Sequence, residues 1–148
     1  MLFRSGGIKE NHYNSFKDFY KFVIIRNPYD RFGSMWRSGM GGSAKFSFDK
    51  FVKTFSIRAY RPQHDHIYEN GKLLVDHMIR YENYKEEVEK FFDKFNLELG
   101  EMPHRLKTTD RPERSRTITE RQADIIYNKY KIDFDTFGYD KDSWINYK

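Results

Sequence analysis

A chain of 148 residues is the size of one ordinary domain and is long enough to bury its own core. It has no cysteine, which excludes disulfides and thiolate metal sites. It also shows no leader pattern and no apolar run of membrane-spanning length, so a cytoplasmic protein without a membrane partner is expected. The 27 Lys and Arg outnumber the 22 Asp and Glu and are interspersed with them, for a formal charge of +5. That excess suits an anionic cofactor or an acidic glycan and is too mild to demand nucleic acid.

In chain order, residues 1–15 read as a flexible lead. Phe22-Val23-Ile24-Ile25 is a continuous apolar run and predicts a strand covered on both faces. Pro28 cannot donate to a ladder, so the strand should end near Arg26. A helix follows, capped either by Asp30 over 31–37 or by Asn27 with Pro28 at its first position. Either start leaves free N–H groups and the positive end of the helix dipole facing the strand's carboxyl end. Arg26 adds a planar fork of donors, and Ser34 lies two turns on, at a spacing that can return its hydroxyl to the same anion.

The stretch Gly39-Met40-Gly41-Gly42-Ser43-Ala44-Lys45 lacks P-loop spacing and follows no strand, so it reads as a mobile connection. Ser47 can cap a helix whose stripe is Phe48, Phe51, Val52 and Phe55. His64-Asp65-His66 offers two ligands at i and i+2, an incomplete metal set, so these read as structural or surface histidines and no metal is expected. Residues 73–79 read as a buried strand, with Arg80 and Glu82 as an ion pair supporting the sheet. Asn83 and Glu86 form a capping-box-like start for a helix bearing Tyr84, Val88, Phe91, Phe92 and Phe95. Residues 105–116 are polar and basic. Thr117 and Glu120 open a further helix with Ala123, Ile126, Tyr127 and Tyr130 inward, and Phe134 and Phe137 continue that packing. Two strands among several helices fit a small α/β layer, whose exposed sheet edge a homodimer would cover.

At its most informative residues the chain resembles a family. Arg26-Asn27-Pro28-Tyr29-Asp30-Arg31, with Ser34 eight positions after Arg26, resembles the 3′-phosphate-binding motif of the sulfotransferases. These enzymes use 3′-phosphoadenosine 5′-phosphosulfate (PAPS) as sulfuryl donor. The resemblance extends through Arg61-Pro62-Gln63 and Asp76-His77-Met78-Ile79-Arg80-Tyr81-Glu82-Asn83 to the ending Asp133-Phe134-Asp135-Thr136-Phe137-Gly138-Tyr139, or about 12–139. It implies a trimmed P-loop-like, three-layer α/β fold with a small parallel sheet and flanking helices.

The roles implied fall on named residues. Arg26 and Ser34 would grip the 3′-phosphate. Lys107, Arg111 and Arg114 would reach the same end of the cofactor, or else belong to a solvated loop. His12 would deprotonate the acceptor hydroxyl, or else is a loop histidine, and His64 could face the acceptor cleft. The family's 5′-phosphosulfate loop follows a first strand and precedes a helix. Here Arg4-Ser5-Gly6-Gly7 has neither beside it, so the expectation is a domain trimmed of its first βα unit. Two functions follow as expectations. One is sulfuryl transfer from PAPS to a hydroxyl of a carbohydrate or small molecule. The other is a non-catalytic or truncated relative that binds an adenosine 3′,5′-bisphosphate-like ligand or a protein partner. A third reading, RNA or DNA bound by the basic loop, predicts a steep salt dependence.

Overall fold

A computed structural model describes residues 18–39, 42, 45–98, 100 and 117–147. Strand β1 (Phe22–Ile25) pairs in parallel with β4 (His77–Arg80), in register from Phe22↔His77 to Ile25↔Arg80. A parallel pair needs a long crossover. Here the crossover carries α1 (Pro28–Arg37), α2 (Phe48–Thr54), the short α3 (His64–Ile67) and a hairpin of β2 (Tyr68–Glu69) and β3 (Lys72–Leu73). Asn70 and Gly71 turn that hairpin with φ of 51° and 76°, the positive pair that a two-residue primed turn requires. After β4 come a 3₁₀ turn (Tyr81–Asn83), α4 (Tyr84–Lys94), α5 (Glu120–Phe137) and a second 3₁₀ segment (Lys141–Tyr147). The chain is thus a small parallel sheet flanked by helices, as the α/β reading implied.

The two faces of the sheet bury different sets. Val23, Ile25 and Met78 pack with Ile67, Val75 and Phe137, while Phe22 and Ile79 pack with Val88 and Phe91 of α4. Coverage is less complete than the apolar run implied, because Ile24 remains 38% exposed beside a fully buried Ile79. The largest core lies off the sheet, where α1, α2 and α5 meet. Phe32 is its centre, with ring centroids of Phe51 and Phe55 at 4.9 and 4.4 Å.

Local chemistry explains the element ends, decides between the two caps expected for α1 and corrects three other expectations. Asn27, not Asp30, caps α1: its side chain accepts the Tyr29 N–H at 3.0 Å, and Pro28 takes the first helical position. The strand expected over 73–79 is interrupted. The Leu74 N–H goes to the Ile67 carbonyl (2.8 Å), and the Asp76 carboxylate takes the Lys21 N–H (2.7 Å), so pairing with β1 starts only at His77. Asn83 makes no side-chain cap, because it sits at φ −114°, ψ 25° in the 3₁₀ turn rather than in the extended geometry a cap needs. Glu87 instead accepts the Arg80 N–H at 2.6 Å and ties α4 to β4. Thr119, not Thr117, caps α5 in a reciprocal capping box with Gln122. Ser47 caps α2 as expected, accepting from the Lys50 N–H.

Candidate functional site

The β1–β4 register continues beyond the strands as side-chain contacts. Arg26 follows Ile25 and Tyr81 follows Arg80, and the Arg26 guanidinium carbon lies 4.0 Å from the Tyr81 ring centroid. Arg26 Nε donates to Asp30 Oδ2, one turn into α1. Arg37 Nη2 lies 4.0 Å from the other oxygen of the same carboxylate. One face and one nitrogen therefore fix the direction of Arg26. Its terminal nitrogens have no hydrogen-bond partner among the described residues, and the side chain is 22% exposed. Two guanidiniums around one carboxylate leave the spot net positive. Ser34 stands on the Asp30–Arg37 stripe of α1, four residues after the first and three before the second. It lies about 10 Å along the helix axis from Asn27, within reach of an arginine's length plus a phosphate. Its hydroxyl also has no partner among the described residues.

The helix N-terminus contributes fewer free donors than the sequence implied, since only the Asp30 N–H of the first turn has no partner among the described residues. The Asn27 N–H donates to Glu82 Oε1 at 2.6 Å, Pro28 has none, and the Tyr29 N–H is taken by Asn27 itself. The positive end of α1 is thus answered by an internal carboxylate.

Glu82 is also not the ion partner of Arg80. Its Oε2 accepts the Tyr139 hydroxyl at 3.1 Å. Arg80 Nη2 donates to the Phe137 carbonyl, and its guanidinium lies 4.8 Å from the Tyr139 ring centroid. Each charged group is claimed at the C-terminal end of α5, by the carbonyl of its last residue or by the hydroxyl of Tyr139 just beyond. Burial, then the Glu82 carboxylate, push the Tyr139 phenol well above its ordinary range and keep it a donor. The stretch just after α5 reaches the cap: Asn27 Nδ2 donates to Ser143 Oγ (2.9 Å), and the Tyr29 hydroxyl donates to the Lys141 carbonyl (2.7 Å).

The structure brings Arg26 and Ser34 onto one side of α1, and adds Asp30, Tyr81 and Glu82, which the sequence reading did not place there. His12, Lys107, Arg111, Arg114 and the Arg4-Ser5-Gly6-Gly7 stretch lie outside the described residues. His64 has a structural setting. Its backbone N–H and that of Gln63 donate to the buried Asp133 at 2.8 Å each, and its ring stacks on Tyr68 at 4.6 Å. Burial, then Arg31 and Arg61, hold His66 below the ordinary histidine range. No group of three or more His, Cys, Asp and Glu that could hold a metal occurs among the described residues.

A model of the sulfotransferase family matches residues 4–94, more than half of the chain. The chain belongs to the sulfotransferase family. No curated protein and no solved structure matches it. The matched sulfotransferase segment contains β1, β4, Arg26, Ser34 and Glu82 and ends with α4. Sulfotransferases generally draw their sulfuryl group from PAPS. A planar guanidinium whose two terminal groups have no partner among the described residues, and a hydroxyl on the following helix likewise without one, fit the phosphate of such a cofactor. No described helix is long and apolar enough to cross a membrane.

Proposed function

We propose that this chain transfers a sulfuryl group from PAPS to a hydroxyl of a carbohydrate or small molecule, and that Arg26 and Ser34 hold the cofactor's 3′-phosphate. The setting of Arg26 carries the reading. Tyr81 and Asp30 hold the guanidinium in place while its terminal nitrogens take no partner among the described residues, so little side-chain freedom is lost when an anion arrives. Ser34 adds a neutral hydroxyl donor on the same side of α1. When bound, PAPS supplies the sulfuryl group and its phosphate leaving group. The chain's part is to bind and orient the 3′-phosphate end through these two residues. Lys107, Arg111 and Arg114 are assigned to that same end, and His12 to taking the acceptor proton. The net charge of +5 favours an acidic glycan among the acceptors.

Calorimetry with adenosine 3′,5′-bisphosphate tests the cofactor half of the proposal. The wild type should bind, and Arg26→Ala should lose a charge-assisted contact of about 1.5–3 kcal/mol. No heat from the wild type sinks the cofactor assignment, and unchanged affinity in the variant sinks the role of Arg26. Transfer of labelled sulfate to a panel of glycans and small hydroxyl compounds tests the activity. Binding without transfer to any of them would recast the chain as a non-catalytic relative that holds the nucleotide.

A further inference from the structure

We infer that Glu82 is a positioning residue for the phosphate grip, and that the segment 139–143 acts on the grip through Glu82 and Asn27. The inference rests on the proposed cofactor reading and concerns residues to which that reading gives no role.

Arg26 leaves β1 at the last residue before the α1 cap, so its backbone direction is set by what holds Asn27. Two independent contacts do so. The Glu82 carboxylate takes the Asn27 N–H at 2.6 Å, and Ser143 Oγ takes its side-chain amide at 2.9 Å. Glu82 is held in turn by the Tyr139 hydroxyl at 3.1 Å, and Ser143 Oγ by the Asp140 carbonyl at 2.6 Å. Tyr81, which carries the Arg26 guanidinium on its face, is the residue directly before Glu82. One carboxylate therefore fixes both the backbone next to Arg26 and the turn that presents the ring beneath it. Charge-assisted bonds of this kind are the stronger ones, and the Asn27 N–H is buried with its residue, so it needs this partner. Glu82 reaches no phosphate by this argument. It acts by keeping Arg26 aimed.

Glu82→Gln keeps the volume but presents an amide group to one of two donors, and Tyr139→Phe removes the hydroxyl while leaving the ring over Arg80. Affinity for adenosine 3′,5′-bisphosphate and, by competition, for adenosine 5′-monophosphate would be measured in each. Glu82→Gln should weaken the bisphosphate about tenfold and leave the monophosphate unchanged, because only the 3′-phosphate depends on Arg26. In an Arg26→Ala background the same change should have no further effect on the bisphosphate. A smaller loss with the same pattern is expected for Tyr139→Phe, which also serves if Glu82→Gln does not fold. Wild-type affinity in both variants overturns the inference and leaves the cofactor reading standing. So does an equal loss for the two nucleotides, or an additive loss with Arg26→Ala, since either marks general loosening of the fold. Absence of binding to the wild type overturns both readings together.

Discussion

Burial holds His66 below the ordinary histidine range, and the guanidiniums of Arg31 and Arg61 act in the same direction, with Asp65 opposing them. The folded state thus prefers the neutral ring. Its contribution to stability is fully present above the unfolded value near 6.5 and is lost as pH falls from there toward the lower folded value. Urea unfolding at pH 5 and pH 7.5 should show an acid-side loss that shrinks in His66→Gln. Equal losses in the two proteins would remove His66 as a cause. Asp133 pulls the other way. Burial raises its pKa, so its contribution falls as pH rises through the folded value, and the comparison between variants isolates the histidine. Single residues were legible where their chemistry is local. Asn27 and Pro28 announced a helix start from adjacent positions. Glu82 was misread because its partner is the N–H of a residue 55 positions away, and no short spacing encodes that meeting. The partners of Asp133 were likewise not legible, since the N–H groups it satisfies lie about 70 positions upstream.

Helix ends show the same division at the scale of elements. The α5 terminus is written in the sequence as Phe137-Gly138, and Gly138 adopts φ 66° while its N–H returns to the Phe134 carbonyl. A Cβ at Gly138 would meet nothing within 4 Å, so the cost of a side chain there is conformational alone. Gly138→Ala should destabilise the fold by about 1–2 kcal/mol in urea titration. A cost well below that range would mean the Tyr139 stretch can leave α5 by another path. Elements bounded by their own side chains, such as α2 behind Ser47, could be read directly. Strand β4 could not be bounded, because Leu74 and Val75 are as apolar as Met78 and Ile79. Hydrogen bonds to Ile67 and Lys21 decide where pairing with β1 begins. The two strands themselves were legible as apolar runs, while their parallel pairing was implied by the family resemblance and not by the residues of the strands.

Across the molecule, stability is concentrated away from the sheet. Phe32, from the helix that follows Arg26, has rings of Phe48, Phe51, Phe55 and Tyr130 around it and no exposed surface. Phe32→Ala should cost about 3–5 kcal/mol, a large share of a typical domain's total of about 5–15 kcal/mol. Equilibrium unfolding measures it, and a loss below about 1 kcal/mol would contradict the packing described. The aromatic wealth of the sequence pointed to such a core. Its position between α1, α2 and α5 was not legible, because α5 lies beyond the long polar stretch that separates it from the sheet.

The bonds that hold Asn27 join it to Glu82 and to Ser143, 55 and 116 positions downstream. During synthesis the Arg26 turn leaves the ribosome well before either partner exists. Local helices can form within microseconds, but contacts of this span must wait for the chain and then for closure of long loops. The final setting of the Arg26 turn is therefore among the last features to mature on a growing chain. A polypeptide halted before Glu82 carries the Arg26 motif in full and lacks the contacts that set its geometry.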